Sequence, residues 1–134
     1  GELSRLAGKE ELQSDEIEPA ANDLINKGKC EIVVVSLGAS GAMLVSGEQV
    51  FKIPAPVIKT KSTVGAGDSM VAGIVFYISK GKNLYDALQY GVACGSAATL
   101  NNGTGLCRKE DVERLNREIK NRKLFNNDIQ LTVY

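Results

Sequence analysis

Gly65-Ala66-Gly67-Asp68 is the segment of this 134-residue chain whose residue types and order could do chemistry. It leads into Ser69 to Lys80, an apolar stretch that reads as a helix, so its backbone amides should be among the donors a helix N-terminus leaves unpaired. Such an end binds anions, and glycines let a phosphate come close to the backbone. The amides and the helix dipole could then stabilise charge that builds up as a phosphoryl group transfers. Asp68 would project from the first turn, placed to accept the proton of an attacking hydroxyl. A plainer reading makes Asp68 a helix cap and the glycines an ordinary turn, and four residues leave both readings open.

The rest of the composition narrows the field. The chain has no histidine, which excludes a Ser-His-Asp triad or a Cys-His pair and leaves carboxylates, lysines and tyrosines for acid or base work. Cys30, Cys94 and Cys107 are odd in number and widely spaced, without a CxxC, so they read as buried thiols rather than a zinc site. Sixteen basic and sixteen acidic residues cancel, and no basic stripe with interleaved aromatics appears, which argues against a nucleic-acid partner. No apolar run approaches the roughly 18 residues needed to span a bilayer, and the first residues lack the apolar core of a signal peptide. A cytoplasmic protein with no membrane partner is expected. Hydrophobic residues at 43% and charged residues at 24% fit one packed globular domain.

The elements that must position the segment follow from patterning. Asp15 to Lys27 places Ile17, Ala20, Ala21, Leu24 and Ile25 on one helical face, with Ser14 as N-cap and Gly28 past the end. Pro19 either opens that helix or distorts its first turn. Ile32 to Leu37 is a short β-branched run, expected as a central strand buried on both faces. Ala42 to Val45 and Val50 to Ile53 flank Ser46-Gly47-Glu48-Gln49 as in a hairpin, and Pro54 and Pro56 break the pattern.

Ser69 to Lys80 is apolar nearly all round, which predicts a helix packed on several sides. Asn83 can cap the next helix, whose Ala87, Gly91, Ala93, Gly95, Ser96, Ala97 and Ala98 leave room for neighbouring backbone or a flat ligand. Val112, Leu115 and Ile119 give a last amphipathic helix, and Ile129 to Val133 reads as a short strand. The sum is an α/β fold, part of a central sheet with a hairpin, flanked by helices, with so few strands that the chain looks like a piece of a larger sheet.

The stretch Ser62-Thr63-Val64-Gly65-Ala66-Gly67-Asp68-Ser69-Met70-Val71-Ala72-Gly73 closely resembles the C-terminal signature of the ribokinase-like (PfkB) carbohydrate kinase family. Two further segments agree in order and spacing. Val33 to Ala42 is similar to the family's nucleotide-contacting strand and loop, and Gly95 to Asn101 to its late helix. The resemblance runs from Glu2 to about Ile119 and implies the C-terminal, ATP-binding and catalytic portion of a ribokinase-like fold, without the N-terminal sugar-binding part and lid.

That resemblance also implies roles. Asp68 would be the base that activates the sugar hydroxyl, and the amides of Gly65, Ala66 and Gly67 the anion hole. Ser36, Gly38 and Gly41 would lie along ATP, and Val92 and Ser96 beside the adenine. In members that use a monovalent cation, backbone oxygens matching Ser62, Val64, Ala98, Asn101 and Gly103 hold K+. Glu2-Leu3 looks like the end of the NxxE motif, whose glutamate helps organise Mg2+ indirectly.

Ser62, where many members carry Asp, makes the segment more like the phosphosugar branch, which includes the minor type of 6-phosphofructokinase, 1-phosphofructokinase and tagatose-6-phosphate kinase. Gly95 to Cys107 most resembles the first of these, with Gly105 where an arginine is expected. The implied partners are ATP and a phosphosugar, with fructose 6-phosphate foremost, and the intact protein would be a homodimer. The fragment alone is expected to bind nucleotide without turnover.

Overall fold

The computed structural model describes residues 14–100 and 108–133, with side chains described for residues 16–100 and 108–121. Helix α1, Ser14–Asn26, leads to strand β1, Ile32–Ser36, a 3-10 turn at Gly38–Ser40, and strands β2, Ala42–Ser46, and β3, Val50–Ile53. Three helices follow: α2, Ala66–Ser79, α3, Leu84–Ala98, and α4, Lys109–Val133.

The strands form one antiparallel sheet in the order β1-β2-β3. Ser36 pairs with Ala42 across the first connection and Val45 with Val50 across the second. The hairpin expected between β2 and β3 is present. Its turn closes through the Ser46 amide on the Gln49 carbonyl at 2.8 Å, and the Gln49 amide donates to Ser46 Oγ at 3.1 Å.

Helix α3 organises the interior, because it touches α2, α4, β2 and β3. Leu44, Ile53, Leu88 and Leu115, from the sheet, α3 and α4, are fully buried in one cluster with Met70 and Ile74 of α2. Val45 points to the opposite sheet face from Leu44 by strand alternation, and it is buried outside that cluster, as are Ile17 and Ala21 of α1. Helix α1 contacts β1 and β2. Helices therefore cover both faces of the sheet, as α/β patterning required.

Local signals account for most boundaries. Asn83 Oδ1 accepts from the Asp86 amide at 2.8 Å, so the expected cap of α3 is formed. Gly28 lies in the left-handed region at φ 72 and its amide closes on the Ile25 carbonyl, ending α1. Pro19 lies inside α1 rather than at its start. Val112, Leu115 and Ile119 are buried along α4 as their spacing predicts. Of the cysteines, Cys94 is buried, Cys30 half-buried, and Cys107 outside the described residues.

Three expectations are corrected. Among the described residues strand β1 pairs with β2 alone, and Ile32 to Val35 are half-buried where burial on both faces was expected. Among the described residues helix α2 is not enclosed. Met70, Gly73 and Ile74 face α3, while Val71, Val75, Phe76 and Ile78 are 42 to 59% exposed, since no other described element lies along that side. Ile129 to Val133 belongs to α4, not to a strand, and no glycine or proline between Ile119 and Ile129 interrupts the helix.

Among the described residues no helix is long and apolar enough to cross a membrane. Since the Asn83 cap satisfies one amide at the start of the helix that carries the core, Asn83→Ala should lower stability by about 1 kcal/mol, measured by urea denaturation.

Candidate active site

Helix α2 begins three residues earlier than the apolar pattern alone indicated, so Ala66, Gly67 and Asp68 form its first turn. Gly65 precedes it in the left-handed region at φ 78, a conformation that a side chain would strain. This turn takes the chain into the helix. Among the described residues the amides of Gly65, Gly67 and Asp68 donate to no protein acceptor, while that of Ala66 donates to the Thr63 carbonyl at 3.3 Å. The free donors are thus Gly65, Gly67 and Asp68 itself, a set shifted from Gly65, Ala66 and Gly67.

The Asp68 carboxylate is exposed, with no hydrogen-bond or ion-pair partner among the described residues. The turn has no side-chain cap. Asp68 is therefore not spent on capping its own helix, which removes the structural use that a first-turn aspartate most often has.

A cavity of about 540 Å³ opens beside this turn. Ser36, Gly38 and Gly41 line it from the end of β1 and the 3-10 turn, Val92 and Ser96 from α3, and Ala66 and Gly67 from α2. Three segments far apart in sequence converge there, and every residue singled out as nucleotide-contacting is among the lining. Gly65 and Asp68 flank Ala66-Gly67 without lining the cavity.

Gly41 is fixed by close approach: at φ 96, a Cβ on it would stand against the Ile53 carbonyl oxygen and the Pro54 backbone. The loop of β1 is thereby held against the end of β3. Gly67 differs, because a Cβ there would meet no atom of the described residues within 4 Å, so packing among them does not explain its small size.

Sequence reasoning missed one wall. Ala55, Pro56, Val57, Ile58, Thr60 and Thr63 line the cavity from the connection between β3 and α2. Pro54 and Pro56 had marked only the end of a strand, yet an extended connection that must run from the sheet to the head of α2 has to pass over the ground between them.

This connection is tied down at its far end. The amides of Lys61 and Ser62 both donate to the Thr99 carbonyl, at 2.8 and 3.3 Å, and Ser62 Oγ accepts from the Val64 amide at 3.2 Å. Ser62 is thus brought beside the end of α3, next to Ala98. Among the described residues the carbonyls of Ser62 and Val64 accept no hydrogen bond. Backbone oxygens of this kind suit a hard cation. Asn101 and Gly103, the other oxygens of that set, lie outside the described residues, as does Glu2. No group of three or more Cys, Asp or Glu side chains that could hold a metal occurs among the described residues.

Comparison with known proteins bears on the family and the fold. Residues 1–111 match the model of the pfkB family carbohydrate kinases. The chain is 44% identical over 114 residues to the ATP-dependent 6-phosphofructokinase isozyme 2 of Escherichia coli K12, covering 85% of this chain and 37% of that protein. To the 1-phosphofructokinase of Bacillus subtilis it is 36% identical over 119 residues, covering 89% of this chain and 38% of the relative.

The crystal structure of E. coli phosphofructokinase-2 in complex with potassium superposes with a TM-score of 0.84 at 42% identity, over 89% of this chain and 38% of that one. Arabidopsis thaliana ribokinase complexed with ribose and ATP superposes with a TM-score of 0.76 at 25% identity, over 86% and 38%. The chain spans less than two-fifths of the length of these relatives. The fold is ribokinase-like, and the chain belongs to the pfkB family of carbohydrate kinases.

Proposed function

We propose that this chain is the ATP-binding and catalytic part of a kinase that transfers the γ-phosphoryl group of ATP to a primary hydroxyl of a phosphosugar. Fructose 6-phosphate is the favoured substrate, giving fructose 1,6-bisphosphate. The observation that carries this reading is the convergence of three segments on one cavity, with free amides and an uncommitted carboxylate on the single turn beside it.

In this reading the nucleoside lies against Val92 and Ser96, and the phosphates run past Ser36, Gly38 and Gly41 toward the head of α2. The Asp68 carboxylate takes the proton of the sugar hydroxyl as its oxygen bonds to the γ-phosphorus. The bond from that phosphorus to the bridging oxygen breaks, and ADP leaves. The amides of Gly65, Gly67 and Asp68 hold the transferring group where negative charge spreads.

Mg2+, when bound, would neutralise phosphate charge, with Glu2 acting on it indirectly. The carbonyls of Ser62, Val64 and Ala98, with Asn101 and Gly103, would hold K+ beside the turn. Gly67 is small because a phosphate, and no protein atom, needs the space.

A second reading stays within the enzyme class. Relatives named 1-phosphofructokinase share 33 to 38% identity with this chain, so regiochemistry and sugar identity are set largely by segments outside it. We place the intact kinase in the cytoplasm as a homodimer, and assign this chain alone nucleotide binding without turnover. A hydroxyl that nothing aligns does not react, and an open site does not exclude water.

The decisive assay is Mg2+-dependent ADP release by the intact kinase carrying this sequence, with fructose 6-phosphate, fructose 1-phosphate and tagatose 6-phosphate. Preference for fructose 6-phosphate is expected, and inactivity on all three would remove the phosphosugar assignment. Asp68→Asn should lower kcat at least about 100-fold and leave ATP affinity nearly unchanged. Wild-type turnover in that variant would exclude Asp68 as the base. Gly67→Ala should leave the melting temperature of the 134-residue chain unchanged or slightly raised, because alanine suits a helix better than glycine, while weakening ATP binding in calorimetry.

A further inference from the structure

We propose that Gly95 is a positioning residue for phosphoryl transfer, setting the place of the anion-binding turn by direct contact with its backbone; this rests on the kinase reading above. A Cβ built on Gly95 would stand 3.1 Å from the Ala66 carbonyl oxygen and 3.4 Å from Met70 Cβ. The first of these atoms is main chain in the opening turn of α2, between the free amides of Gly65 and Gly67. A carbonyl in a helical turn cannot swing aside as a side chain can, so pressure at position 95 moves the turn.

The neighbouring glycines of the same contact act elsewhere. A Cβ on Gly73 would meet Cys94 Sγ at 2.7 Å, and one on Gly91 would meet Ile74 Cγ1 at 2.5 Å and the Met70 carbonyl at 2.9 Å, farther along α2. Gly95 also borders the cavity shared by Gly67 and Ser96. An added methyl could therefore act in two ways: by displacing the turn, which changes the rate, or by filling the cavity, which changes nucleotide affinity. We assign the first.

A displacement of a few tenths of an ångström moves both the donors and Asp68 relative to the phosphorus, and transfer rates are steep in such geometry. In the intact kinase, Gly95→Ala should lower kcat about ten-fold with KM for ATP changed less than about two-fold. A raised KM with unchanged kcat, or no change in either, overturns the assignment and leaves Gly95 as cavity lining.

A second measurement needs no turnover. In the 134-residue chain, Gly95→Ala should shift the backbone amide signals of Gly67 and Asp68 in a heteronuclear NMR spectrum, whereas Gly73→Ala should lower the melting temperature without shifting them. Unmoved signals in Gly95→Ala overturn the proposal whatever the kinetics. If the wild-type kinase releases no ADP, the kinase reading fails, while the amide shifts still decide whether Gly95 holds the turn.

Discussion

The close approach of α2 and α3 governs the rest of the molecule. Where Gly73, Gly91 and Gly95 meet the facing helix, backbone and short side chains pack without intervening bulk, and Gly91 Cα lies 3.2 Å from where a Gly73 Cβ would be. Two helices this close have little freedom to slide or rotate. Helix α3 also meets β2, β3 and α4, so the head of α2 is referred to the sheet through one rigid intermediary. The C-terminal end of α3 also reaches the connection that leads into the site. The Thr99 carbonyl, just past α3, accepts the amides of Lys61 and Ser62 and fixes the strand of chain that feeds the turn.

The site is consequently assembled from two kinds of support. One side is a helix terminus with free amide donors, entered through a left-handed glycine at 65. The other side is a sheet loop, where Gly41 presses against the end of β3, facing the small residues of α3. Neither side depends on a buried charge. The one buried side-chain polar atom without a partner among the described residues, Asn116 Oδ1, lies on α4, and Asn116 does not line the cavity. Preorganised dipoles and unspent amides dominate here, which suits chemistry in which the protein positions charge more than it forms bonds.

Much of this was legible in the sequence. Asn83, the hairpin around Ser46 to Gln49 and the small residues of α3 each imply a local geometry, and each is found. Sequence left neighbouring backbone or a flat ligand open as the occupant of the space beside the small residues of α3; the backbone of α2 approaches Gly91 and Gly95, and Gly95 also borders a cavity. What was not legible depended on partners. The apolar run of α2 gives no clue to how many neighbours cover it, and the β-branched run of β1 cannot tell a central strand from an edge. The wall formed by Pro56 to Thr63 has no periodicity to betray it, because its place is set by the two ends it joins. Donor bookkeeping within the turn, where the Ala66 amide is taken by Thr63, needed coordinates.

The order of contacts along the chain has a kinetic consequence. Strand β1 pairs with β2, β2 with β3, α2 packs on α3 and α3 on α4, so each principal contact joins elements adjacent in sequence. Loops closed between such neighbours are short, and their entropic cost is small. Topologies built from near-neighbour contacts fold fast, and the docking of the sheet onto α3 is a sequence-distant step. The cavity lies at that docking surface, between β1, the connection after β3 and α3. Its walls come from segments far apart in sequence, so the cavity exists only once the sheet and α3 are packed together.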